Sequence, residues 1–233
     1  MNTRGLLDQL LKSGQQILQQ RQTGQPSDPS GGASTDLIDQ LGGLLGGSKG
    51  ALGGGALAML LASKGGRKLG GKALTYGGLA ALGTLAYKAY GNWQAQQAAG
   101  ATVEPKTIDR LPAVEAETHS QAILTALIAA AKADGHVDAR ERELIEEEFA
   151  KLSPDTDLHD WLGAELNKPL DPVEVARAAT TPEIASEMYL ASLLMVDEEQ
   201  FMERAYLDEF ARQLKLPDSL KAELERQMDE APD

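Results

Sequence analysis

The sequence predicts an all-α protein: glycine-rich, membrane-associated N-terminal helices followed by a compact bundle of about seven short helices. Three observations carry that expectation. After Ala113 the apolar residues recur at helical spacing, with no hairpin signal or β-branched alternation. Helix-starting pairs punctuate this half, among them Asp171-Pro172, Thr181-Pro182 and Pro217-Asp218. Ahead of it, 16 of the 24 glycines fall between Gly42 and Gly91, in a stretch with six basic and no acidic side chains.

The first element, residues 1–22, reads as an amphipathic helix with Leu6, Leu7, Leu10, Leu11, Ile17 and Leu18 near one face. A partner or a membrane surface can take that face, and a weakly ordered tail is the competing reading. Residues 23–35 contain TGQPSDPSGGAS and read as a flexible linker. An apolar core with a small-residue cleavage site is missing at the start, so no secretory signal is expected.

Residues 36–93 form the Gly/Ala-rich region, with two apolar segments. Leu41–Ser63 carries one charge, Lys49, and Ala73–Tyr87 carries none. The basic cluster Lys64, Arg67, Lys68 and Lys72 lies between them. A spanning helix needs roughly 17–20 apolar residues, and each segment reaches that length only with concessions. The first must tolerate Lys49 and its many glycines. The second, taken as Ala73–Tyr90, must set Tyr87, Tyr90 and Trp93 at the lipid–water boundary.

Gly42, Gly46, Gly50, Gly54, Ala58, Ala62, Gly66 and Gly70 recur every four residues. On a helix this period makes one continuous seam of small side chains, which lets two backbones approach closely in lipid. In water each glycine would cost the helix about 1 kcal/mol relative to alanine. Insertion of at least one segment, with self-association through the seam, is the expectation; a low-complexity linker is the alternative. Basic residues stay cytoplasmic, but the side taken by the C-terminal domain depends on which segment spans.

Residues 94–112, with Pro105, read as a polar tether. Residues 113–233 read as an acidic helical domain large enough for one core. A helix over Ala116–Ala133 turns Ile123, Ala126, Leu127, Ala130 and Ala131 toward that core. Asp138 and Glu141 form a capping box for a helix to about Leu152. Ser153-Pro154 opens the next, with Leu158, Trp161, Leu162 and Leu166 inward. A short helix follows Asp171-Pro172 to Ala178, another runs from Thr181 to Met195, and two more cover Glu198–Leu214 and Pro217–Met228.

Charge divides the chain. Residues 1–100 hold 9 basic and 4 acidic side chains, whereas residues 101–233 hold 13 basic and 31 acidic. The acidic half repels phosphate, so no nucleic-acid partner is expected. The chain has no cysteine, which excludes disulfides, a thiol nucleophile and thiolate metal sites. His119, His136 and His159 lack zinc-site spacing, and no nucleophile elbow, Walker-type loop or dinucleotide fingerprint occurs. The expectation is a protein that is not an enzyme.

The acids have a pattern of their own. Ala133-Asp134 followed by Glu141-Arg142 has a counterpart in Val196-Asp197 followed by Glu203-Arg204. Two helical hairpins related by approximate two-fold symmetry would bring Asp134, Asp138, Glu141, Asp197 and Glu203 together. Hard cations such as Ca²⁺ take six to eight oxygen ligands, roughly what two such copies supply. The competing reading makes Asp138 a helix cap and Glu141 a complement to the helix dipole.

The segments AAKADGHVDARERELIEEEF (130–149) and MVDEEQFMERAYLDEFARQLKLP (195–217) resemble TerB-like domains, the tellurite-resistance-associated helical module. With a glycine-rich region ahead of it, the layout is similar to YebE-like inner-membrane proteins of Gram-negative bacteria. The resemblance implies an all-α fold, a bacterial inner-membrane location and an envelope or stress-response setting. It also implies a metal-binding patch at Asp134, Glu141, Asp197 and Glu203, and it does not imply a catalysed reaction. Two functions therefore stand side by side. One is a membrane-anchored module whose acidic domain binds a divalent cation or a protein partner. The other is a purely structural, oligomerising envelope protein with a solvated acidic domain.

Overall fold

The computed structural model describes residues 2–8, 79–97, 104–133, 155–196 and 200–230. Among them every regular element is a helix. Residues 3–8 form α1, Leu79–Gln97 α2, Ala113–Ala131 α3 and Thr156–Asn167 α4. Pro172–Ala176 forms α5, Pro182–Leu193 α6, Phe201–Gln213 α7 and Asp218–Asp229 α8.

Local chemistry sets several helix starts. The Asp171 side chain accepts the Val173 N–H at 2.9 Å, with Pro172 in the first turn of α5. Thr181 accepts the Ile184 N–H at 3.3 Å ahead of Pro182, as Thr181-Pro182 predicts. For α4 the cap is Asp155, accepting from Leu158 at 3.2 Å, so this helix begins after Ser153-Pro154 rather than on it. Helix α7 ends on Lys215, whose φ of 56° is left-handed. The Leu216 N–H returns to the Ala211 carbonyl at 3.1 Å, closing the last turn.

Helix α6 is the centre of the bundle. Every residue from Ile184 to Leu193 is buried, and α2, α3, α7 and α8 pack around it. Burying each large apolar side chain, Leu190 and Met188 among them, contributes about 1.5–3 kcal/mol. Helix α3 brings Ile123, Ala126, Leu127 and Ala130 to this core, as its spacing predicts, and also lies against α4 and α5. Leu158, Leu162 and Leu166 of α4 are buried, with Trp161 half-buried.

The described part of the second candidate span belongs to the bundle. Leu79, Leu82, Leu85, Ala86 and Ala89 of α2 are buried, and α2 packs on α8 and α6. Tyr90 and Trp93, assigned from sequence to a lipid boundary, pack against the protein core. The Trp93 indole N–H donates to Ser219 Oγ at 3.0 Å, and Asn92 donates to Glu223 at 2.9 Å. Protein, not lipid, covers this apolar face. No helix among the described residues is long and apolar enough to cross a membrane.

The polar tether is also partly a core element. Thr107 and Ile108 are fully buried in the connector between α2 and α3. Leu6 and Leu7 of α1 join the same core, so this part of the leucine face has an intramolecular partner. The linker at 23–35, the segment Leu41–Ser63, the basic cluster and the helix over Asp138–Leu152 lie outside the described residues. So do Gly42, Gly46, Gly50, Gly54, Ala58, Ala62, Gly66 and Gly70.

Candidate functional site

Of the five predicted metal ligands, Asp134, Asp138, Glu141 and Asp197 lie outside the described residues. Glu203 stands in the first turn of α7, where a carboxylate complements the helix dipole, and it is buried. Among the described residues no three His, Asp or Glu side chains form a group able to hold a metal ion.

Among the described residues a groove of about 350 Å³ lies between α3, α4 and α5. Its α3 wall is Gln121, Ala122, Thr125, Ile128, Ala129 and Lys132, residues that recur at three- and four-residue spacing on one helix face. Trp161 and Glu165 of α4 oppose them, and Leu170, Val175 and Ala178 close the far side. The Lys132 ammonium donates to the Glu165 and Lys168 carbonyls at 3.0 and 2.9 Å, satisfying the end of α4 and tying it to α3. On the rim Lys168 pairs with Glu165, and Arg177 with Glu174. A half-buried indole, small apolar residues and a rim of both charge signs suit an amphipathic segment of a protein better than a compact anion.

Two polar assemblies away from this groove tie α1 to α3, and α3 and the connector to α6. At the amino end of α3, Glu117 accepts the Thr3 N–H and hydroxyl, each at 2.6 Å, and the Arg4 N–H at 3.2 Å. It thereby supplies an anion to the open N–H groups of α1. Deeper in the core, Glu187 Oε2 meets His119 Nδ1 at 2.5 Å, and Glu187 Oε1 accepts the Ile108 N–H at 2.6 Å. Glu187 is wholly buried and His119 nearly so. Burial pushes the Glu187 carboxyl above the usual carboxylate range, against the opposing pull of His119 and the Ile108 N–H.

Sequence reasoning sets His119 aside for want of zinc spacing and passes over Glu187. A signal for both was present. His119 precedes Ile123 by four residues on the core face of α3, and Glu187 sits between Ala185 and Met188 on the most buried helix. A charged residue in such a run needs a partner, and a core-facing histidine is an apt one.

A family model described as "Protein of unknown function (DUF533)" matches residues 46–228. The chain belongs to the DUF533 family. The match begins inside the glycine-rich stretch and extends into α8. A Yersinia enterocolitica protein, described as an uncharacterized protein in the ampR 5′ region, is 32% identical over 110 residues. The similarity covers 47% of this DUF533 chain and 79% of that protein. No solved structure matches it.

Proposed function

We propose that this DUF533 protein is a membrane-associated, non-enzymatic binding module of TerB-like character, working at the bacterial inner membrane in an envelope or stress-response setting. Its acidic bundle engages a protein partner, with the groove between α3, α4 and α5 as the docking surface. A divalent cation at Asp134, Asp138, Glu141, Asp197 and Glu203 is the subsidiary part of the reading. The Gly/Ala seam associates copies of the chain at the membrane.

The observation that carries the reading is that both flanks of the glycine-rich stretch are built into one body. Leu6 and Leu7 of α1 are part of the core on one side of it, and α2 packs on α6 and α8 on the other. Chain that leaves and re-enters one body meets a bilayer from a single side, crossing it either twice or not at all. Two crossings need roughly 35–40 apolar residues, more than Leu41–Ser63 offers. On this reading the stretch inserts from the cytoplasmic face without passing through, and Lys64, Arg67, Lys68 and Lys72 stay on that face.

The absence of cysteine allows a direct test. Single cysteines replacing Arg4 and Asp160 are probed with an impermeant maleimide in spheroplasts and in inverted inner-membrane vesicles. Both are expected to react only in inverted vesicles, with the protein retained on membranes after a high-salt wash. Labelling from opposite sides overturns the single-sided insertion, and full recovery in the soluble fraction overturns membrane association.

A further inference from the structure

Glu187 is the point where three separate elements are joined. It stands on α6, takes His119 of α3 on one oxygen at 2.5 Å, and takes the Ile108 N–H of the connector on the other at 2.6 Å. The connector continues into Asp109, which lies against Gly83 of α2: a Cβ built on Gly83 would come within 2.6 Å of Asp109 Oδ1. One buried carboxyl therefore anchors the connector, which in turn lies against α2 at Gly83.

We propose that the His119–Glu187 pair is a proton-operated latch, which keeps the connector and α2 docked while the pair holds a proton and loosens them when that proton leaves for solvent. This inference stands apart from the membrane reading. A carboxyl and an imidazole that share one added proton are together neutral, a state a dry core tolerates. Removing the proton leaves a single negative charge enclosed in apolar surroundings, compensated only by hydrogen bonds. Local relief is available, because withdrawing Ile108 and its neighbours lets water reach the carboxylate.

The charges around the pair favour this behaviour. From the connector, Asp109 presents a second carboxylate, bonded by the Thr107 hydroxyl at 2.6 Å and with Arg110 Nε 3.7 Å away. Arg110 itself lies over the Tyr87 ring of α2, 3.7 Å from its centroid. From α3 the titratable group is His119. Helix α8 meets α6 at Tyr189, whose hydroxyl donates to Glu225 at 2.7 Å, and α7 contributes Tyr206, whose phenol burial also holds protonated. Burial and the Asp109 charge both raise the Glu187 pKa. A carboxyl raised on folding stabilises the docked state fully below its ordinary pKa, and that contribution is lost as pH climbs toward the raised value.

Amide hydrogen exchange on the full chain, corrected for intrinsic rates, tests the latch. Protection of residues 104–112 and of α2 is expected to fall from about pH 4.3 upward, by up to about tenfold per pH unit. It then levels off, while α4 shows no such slope. Glu187→Gln keeps an acceptor for Ile108 but cannot ionise, and its protection profile is expected to be flat. Asp109→Asn removes the neighbouring charge, so its profile levels off at lower pH with a smaller total loss. A wild-type slope persisting in Glu187→Gln overturns the latch. Should that variant not fold, an Asp109→Asn profile that matches wild type overturns it instead.

Discussion

Gly83 of α2 meets Asp109 of the connector so closely that a Cβ on Gly83 would sit 2.9 Å from the Asp109 backbone nitrogen. The connector crosses α2 where a side chain is missing. Gly83→Ala is therefore expected to destabilise the protein by about 1–3 kcal/mol through overpacking. Helix propensity alone predicts a gain of about 1 kcal/mol from the same change. Urea unfolding decides between the two signs.

Glu117 holds α1 through the Thr3 and Arg4 N–H groups and the Thr3 hydroxyl. Replacing it with alanine strands those donors at a partly buried site, at a cost of about 1–3 kcal/mol. Because α1 is a short peripheral element, the loss is expected as local release. Limited proteolysis should cut near residue 8 faster in Glu117→Ala, with the bundle fragment persisting.

Lys215 adopts left-handed backbone geometry at the end of α7, a conformation costing an L-residue about 1 kcal/mol. Lys215→Gly is expected to raise stability by roughly 0.5–1 kcal/mol. A thermal midpoint unchanged or lowered in this variant would refute the expectation.

Two buried glutamates should give opposite pH signatures. The Arg226 guanidinium, bonded to Glu223, holds that carboxyl below the usual range, and Asn92 and Gln227 add to the effect. Its contribution is present above the ordinary carboxylate pKa and lost as pH falls through the lowered value. Glu187, raised by burial, contributes below the ordinary value and loses it as pH rises. Relative to wild type, Glu223→Gln should lose stability at neutral pH and converge with it in acid. Glu187→Gln should compare best with wild type near neutrality and worst in acid. Denaturation midpoints across pH 3–8 (roughly the span over which displaced carboxyls titrate) check both signs.

What the sequence revealed depended on the reach of each interaction. Asp171-Pro172 and Thr181-Pro182 announce helix starts because cap and partner are two or three residues apart. The core face of α3 follows from its spacing. Pairings across the chain leave no such trace: Thr3 finds Glu117 at a separation of 114 residues, and His119 finds Glu187 at 68. The described part of the second apolar segment, from Leu79 onward, is ambiguous in sequence for a related reason. A face of leucine, alanine and glycine reads the same whether lipid or α6 and α8 cover it. Of the acidic site, Glu203 is described, and it is a buried residue of α7.

Helix α6 has no solvent face from Ile184 to Leu193. Along that length any change of volume must be answered by a neighbour, since packed interiors absorb little misfit. Evolutionary drift among DUF533 sequences should thus appear there as paired substitutions with α2 and α3. Independent variation should gather on outward positions such as Val114, Phe201 and Met202.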